Sequence, residues 1–174
     1  MDALNYVWRP ATITDVDAVI ALTAENFGDE VTDLFVPDFW AGARNLTQAI
    51  VNQYYQPNTE LISVAVDNSD RIVAWTWAQG NQTVPWSDER MVMVRMGHVL
   101  MTLAGRDRVR LVQDMIALWE GFAQFAGHHI VCSTTMRRDQ TGFMRIHQAA
   151  GYDVRGSYAY KRLPQKSPGN QGLN

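Results

Sequence analysis

The stretch from Met91 to Thr134 constrains the fold most. It opens with an apolar run, Met91 to Met101, that reads as a strand. A helical segment from about Arg108 to Phe125 follows. In it Val109, Val112, Met115, Ile116, Trp119, Phe122 and Ala123 recur at helical spacing and form one apolar face. Gly127 stops that helix, and Ile130-Val131-Cys132-Ser133-Thr134 is a compact second strand. Two strands joined by a crossover of this length run parallel, because antiparallel neighbours need only a tight turn. The segment therefore predicts a sheet with a helix laid across it.

The remaining elements fit around this unit. Tyr6-Val7-Trp8-Arg9, ended by Pro10, predicts a first strand. Thr14 with Asp15 and Asp17 starts a helix that carries Val16, Val19, Ile20 and Phe27, and Gly28 is expected to close it. A second helix is expected from about Asp38 to Tyr54, with Trp40, Ala43, Ala49, Ile50 and Tyr54 available for burial, before Gln56-Pro57-Asn58 breaks it. Leu61–Val66 and Arg71–Trp77 flank a polar turn and form a hairpin. Residues 80–90, with Pro85 and Trp86, read as a loop. A short helix spans about Gln140 to Ala149, and Tyr152–Val154 and Ser157–Lys161 read as closing strands. The order β-α-α-β-β-β-α-β-α-β-β is that of an α/β (α+β) protein. Residues 1–163 form one domain, and the Pro-, Gly- and Asn-rich residues 164–174 form a flexible C-terminal arm.

Composition narrows the function classes. The chain of 174 residues is 47% hydrophobic, which suits a packed core and excludes wholesale disorder. A single cysteine, Cys132, excludes an internal disulfide framework and a Cys-rich zinc site. No run approaches the roughly 20 apolar residues of a membrane span, and no secretory signal opens the chain. The net charge of −3 hides an asymmetry. Residues 1–89 carry three arginines against 13 acidic residues, whereas residues 90–174 carry 12 basic residues against five acidic ones. Two surfaces for two kinds of partner, or plain solvated charge, both account for this. Nucleic acid is disfavoured, since the net charge is negative and no helix-turn-helix or RNA-binding aromatic motif is present.

Three phrases of the sequence resemble the GNAT superfamily of N-acetyltransferases. They are Trp8-Arg9-Pro10-Ala11-Thr12 leading into Thr14-Asp15-Val16-Asp17, Phe143-Met144-Arg145-Ile146-His147-Gln148-Ala149-Ala150-Gly151-Tyr152, and Tyr158-Ala159-Tyr160-Lys161-Arg162-Leu163. The resemblance implies a mixed, mostly antiparallel sheet of about six to seven strands with about four helices on its faces. It also implies acetyl-CoA lying between two splayed parallel strands, with its pyrophosphate held at the start of the long helix. The family's pattern there is a basic residue, two residues, glycine, one residue, then glycine or alanine. Counted from Arg106 the glycine positions hold Val109 and Leu111, and counted from Arg108 they hold Leu111 and Gln113. Arg106, Arg108 and Arg110 read either as a replacement phosphate clamp or as a solvated or partner-facing patch.

In the family an acid that protonates the departing thiolate stands four residues before the Gly of the Gly-aromatic turn, and His147 occupies that place. His98 is the candidate base that takes the amine's proton. His128-His129 lacks a second metal-ligand motif, so no metal site is expected. Trp75 and Trp77 share one strand face and read as core or as a substrate platform. Phe35, Phe39 and Trp40, among Asp29, Glu30, Asp33 and Asp38, fall where an amine acceptor, small or on a protein, would arrive. A cytoplasmic acetyltransferase is the first expectation. The alternative is a catalytically inactive GNAT-like module that meets a protein partner through the arginine-rich face or the C-terminal arm. Glycine-free versions of this loop resemble proteins of short-tailed phages, including virion-associated ones.

Overall fold

A computed structural model describes residues 4–30, 35–136 and 140–156, without the side chains of residues 28–30. Five strands are present among them: β1 (Tyr6–Pro10), β2 (Glu60–Asp67), β3 (Ile72–Val84), β4 (Ser87–Val99) and β5 (Ile130–Cys132). The helices are α1 (Val16–Glu30), entered through a 3-10 turn at Ile13–Asp15, α2 (Phe39–Tyr55), α3 (Gly105–Phe125) and α4 (Thr141–Ala149). The sheet order is β1-β2-β3-β4-β5. Every neighbouring pair is antiparallel except β4 and β5, which run parallel across the α3 crossover as the sequence requires.

Register sorts the side chains between two helical layers. Val64 pairs with Trp75, and Trp75 with His98, so these three share the face covered by α1 and α2. Thr76 and Gly97 pair with each other and face α3, where the Trp119 indole N–H donates to Thr76 Oγ1 at 2.8 Å. A Cβ added at Gly97 would stand 3.4 Å from Met115 Sδ, so glycine lets α3 lie close to the sheet. Leu46, Ile62, Val64, Leu111, Met115 and Trp119 are almost wholly buried. Each such side chain contributes roughly 1.5–3 kcal/mol through removal from water. Asp114 of α3 accepts from Tyr6 Oη at 2.7 Å and from Trp8 Nε1 at 3.2 Å, which ties the long helix to β1.

Several sequence expectations change. Residues 80–90 are strand rather than loop: Val84 pairs with Ser87, and Pro85-Trp86 is only the turn of a long hairpin. The polar residues that suggested a loop lie on a hairpin arm bent by register shifts at Gln79, Gln82 and Val84, with Asn81 at φ 58°. α1 continues past Gly28 to Glu30, and α3 begins at Gly105 rather than near Arg108. Trp40 and Tyr54 are exposed, and α2 buries Leu46, Ala49 and Ile50 instead. Tyr152–Val154 forms no strand, and the expected strand at residues 157–161, like the arm at residues 164–174, lies outside the described residues. The sheet therefore has five strands among the described residues, fewer than the six to seven expected.

Candidate active site

The parallel pair comes apart almost as soon as it forms. β4 and β5 are paired only at Met91–Ile130, Val92–Val131 and Met93–Cys132. Beyond that point residues 94–99 of β4 remain bonded to β3, but no described strand covers their other edge. Two local causes are visible. Trp77 pairs with Met96 while the next residue, Ala78, pairs with Val94, so Arg95 is an extra residue that bends β4. On the opposite lip, Ser133 follows the last residue of β5, and its hydroxyl is held 3.1 Å from His147 Nε2 on α4. Exposed Gly97 lies along the open edge, with Met115 and Trp119 beneath it.

The start of α3 stands five residues beyond the end of this edge. The first amides of any helix lack intrahelical acceptors, and here the N-cap is Ala104, which supplies no side-chain acceptor. Ala104 and Gly105 present no bulk at that turn, whereas Val109 lies a full turn further on, where helix amides already bond to carbonyls. Leu111 is wholly buried in the core and Val109 is exposed. Arg106 is exposed and stands 3.6 Å from Asp107. Arg108 folds back so that its Nη1 lies 3.7 Å from Met101 Sδ, leaving its buried Nε–H without a partner. Arg110 turns the other way: it donates to Leu4 O at 3.3 Å and covers the Tyr6 ring at 4.7 Å. The first turn thus combines unpaired amides, the positive end of the helix dipole and two guanidinium groups, a set that fits a polyanion such as a pyrophosphate.

His147 is buried by Trp119, Phe143 and Tyr152. Its Nδ1 lies 2.9 Å from the Phe143 carbonyl, which can only accept, so Nδ1 carries the proton and Nε2 accepts from Ser133. Burial lowers the imidazole's pKa, with the Phe143 carbonyl partly opposing the shift, and the ring is neutral near pH 7. Burial first, then Glu120, pushes the Tyr152 phenol up. His98 is buried against Trp75, the rings stacked at 5.7 Å. Asn26 donates to the Val99 carbonyl at 3.2 Å, which turns the same amide nitrogen toward His98 Nδ1 at a long 3.4 Å. Among the described residues no three His, Cys, Asp or Glu side chains gather as a metal site. His128 instead accepts from the Asn81 amide at 3.0 Å.

On the α1/α2 face of β4 lies a cavity of about 200 Å³. Trp75, Trp77 and Met96 line it from the sheet, Phe27 from α1, and Asp38 and Phe39 from the start of α2. Trp77 Nε1 donates to Glu60 at 2.7 Å, and Gln79 donates to the other oxygen of that buried carboxylate at 3.0 Å. Trp75 Nε1 is buried without an acceptor.

The fold has counterparts among solved structures. An aminoglycoside 6'-N-acetyltransferase, AAC(6')-Ih from Acinetobacter baumannii, superposes with a TM-score of 0.65 at 15% identity, covering 92% of this chain and 100% of that one. AAC(6')-Iy in complex with the bisubstrate analog CoA-S-monomethyl-acetylneamine gives 0.65 at 16% identity, with coverage of 92% and 99%. Glucosamine-6-phosphate N-acetyltransferase from Arabidopsis thaliana gives 0.66 at 13% identity, also covering 92% and 99%. The fold is the GNAT fold. No protein-family model matches the sequence, and no curated protein matches it.

Within this GNAT fold the sequence candidates are distributed unevenly. Arg108 reaches back to Met101, just past the open edge, Arg106 is exposed beside Asp107 on the first turn of α3, and Arg110 is engaged with β1. His147 lies behind Ser133 on one lip, and His98 lies on the cavity side of β4, one residue beyond Met96 and Gly97. Trp75 and Trp77 are both core and cavity wall. Phe39 and Asp38 reach the cavity, Trp40 points to solvent, and Asp29, Glu30 and Asp33 offer no described side chain. Ser133, Glu60 and Ala104 escaped sequence reasoning. Only Glu60 carried a signal, as a lone carboxylate immediately before an apolar strand.

Proposed function

We propose that the chain is an N-acetyltransferase that moves an acetyl group from acetyl-CoA to a primary amine. The observation that supports this most is the parting of β4 and β5 after Met93–Cys132, with the uncapped start of α3 at the mouth of the opening. Acetyl-CoA would supply the activated thioester. The amides at Ala104–Arg106, Arg106 and the unpaired Nε–H of Arg108 would hold its pyrophosphate, and the free edge of residues 94–99 would orient its extended arm. Arginine thus takes over part of what glycine-lined amides do elsewhere, and Arg110 has no share in it.

The acceptor amine approaches from the cavity face of β4. His98 takes its proton at Nδ1, giving up the long contact with Asn26. Ser133, whose hydroxyl rests on His147 Nε2, lies on the opposite lip and would stabilise the departing thiolate by turning that one O–H from the imidazole to the sulfur. His147, neutral and with no proton on Nε2, donates none to the thiolate; it positions the Ser133 hydroxyl, and the thiolate leaves as the anion or takes its proton from solvent.

Calorimetric titration with acetyl-CoA tests the reading. Binding in the micromolar range, weakened at least about tenfold by Arg108→Ala, is expected from the loss of one charge-assisted contact. No heat at millimolar acetyl-CoA would overturn it.

A further inference from the structure

We propose that the acceptor is a flat, apolar primary amine with one or two rings, an arylalkylamine, bound in the cavity between α1, α2 and the sheet. The proposal rests on the acetyl-transfer reading for its chemistry, but the cavity itself selects the ligand.

Three features set the class. The first is size. A cavity of about 200 Å³ that opens to solvent on one side admits a one- or two-ring group. The second is surface. Ile20, Phe27, Phe39, Trp75, Trp77 and Met96 are half of the described lining residues, and Thr23, Asp38 and Asn45 are the polar ones among them, fewer groups than a polyhydroxylated sugar needs. The third is charge. Asp38 lines the cavity and accepts one hydrogen bond, from the Ala41 amide through Oδ1. A carboxylate therefore faces an aromatic wall, which is how an ammonium group on an apolar body is recognised.

The Trp77 ring strengthens this wall. Its indole N–H points at the buried Glu60 carboxylate at 2.7 Å, so electron density is pushed toward a face that receives a cation. Met96 belongs both to the cavity and to the open edge of β4, so an amine anchored in the cavity reaches the strand along which the thioester would lie.

Tryptamine is the probe, and glucosamine 6-phosphate the polar comparison. Binding to the free protein is followed by ligand-observed NMR, and acetyl transfer by release of the CoA thiol. The expected result is saturable tryptamine binding and turnover, with a KM at least about tenfold below that of the sugar. Asp38→Asn keeps the helix cap, since asparagine caps as well as aspartate, and removes the charge. It should raise the KM for tryptamine about tenfold with little change in kcat. Asn45→Trp, on an exposed α2 position at the cavity, should abolish tryptamine binding and leave acetyl-CoA binding unchanged. Turnover of the sugar but not of tryptamine, or tryptamine binding untouched by Asn45→Trp, would overturn the proposal. Tryptamine binding in a protein that takes up no acetyl-CoA would overturn the acetyl-transfer reading and leave the ligand class standing.

Discussion

Two helix starts in this molecule are built in opposite ways. At the turn leading into α1, the Asp15 carboxylate accepts from the Thr12 amide at 2.7 Å and from Thr12 Oγ1 at 3.0 Å, and takes both Arg9 nitrogens at 2.7 and 2.8 Å. The Arg9 guanidinium and the Thr12 amide and hydroxyl thus share one internal acceptor. The start of α3 has an alanine cap, no side-chain acceptor, and arginines at positions where the helix dipole disfavours positive charge. On the acetyl-transfer proposal the second start is kept for an anion from outside, so that the first contributes to stability and the second gives some up for binding.

Reversing the charge of the open end should have the largest effect. Arg106→Glu with Arg108→Glu should cost at least about 100-fold in acetyl-CoA affinity by calorimetry, while the melting temperature of the free protein stays level or rises. A loss of both would show that the arginines serve folding. The closed end should respond next. Hydrogen bonding to Arg9 holds Asp15 down to about 2, so its contribution is present above about pH 4 and is lost as pH falls toward 2. Asp15→Asn should lower denaturation free energy by about 2 kcal/mol at pH 7, flatten that acid limb, and leave acetyl-CoA affinity alone.

Making the open end resemble the closed one is a smaller perturbation. Ala104→Asp should stabilise the free protein by about 1 kcal/mol in urea titration and weaken acetyl-CoA binding, because the new carboxylate occupies the amides. Stabilisation without weaker binding would place the cofactor elsewhere. The smallest effect should come from Arg110→Ala. With its guanidinium on Leu4 and Tyr6, affinity should change less than about threefold, within the range of remote surface substitutions.

How much of this could be read beforehand follows from how locally each feature is encoded. The crossover from β4 through α3 to β5 was legible because a single amphipathic face, Val109 to Ala123, repeats over about four turns. The beginning of that helix was not, since its first turn, Gly105 to Arg108, has no apolar residue and periodicity registers only at Val109. That shift matters: the residues compared with a glycine pattern lie inside the helix, and those at its open end are Ala104 and Gly105. The hairpin arm at residues 80–90 was hidden for a related reason, since it reaches beyond the helical layers and needs no apolar alternation. His98 and His147 stand out in the sequence, but their partners Asn26 and Ser133 are 72 and 14 residues away.

The sequence by itself determined the layered α/β architecture, the parallel crossover, the concentration of arginine at one helix start and the acidic character of the first half. These follow from periodicity and composition, which act over a turn or a few residues. The tertiary structure alone decided that Arg108 turns back to Met101 while Arg110 turns away to Leu4 and Tyr6. It also decided that His147 is buried and bonded to Ser133, and that Trp75 and Trp77 wall a cavity as well as filling a core. Each depends on which distant residue packs or hydrogen-bonds opposite a side chain, and a residue's neighbours across a sheet are fixed only when the strands find their register.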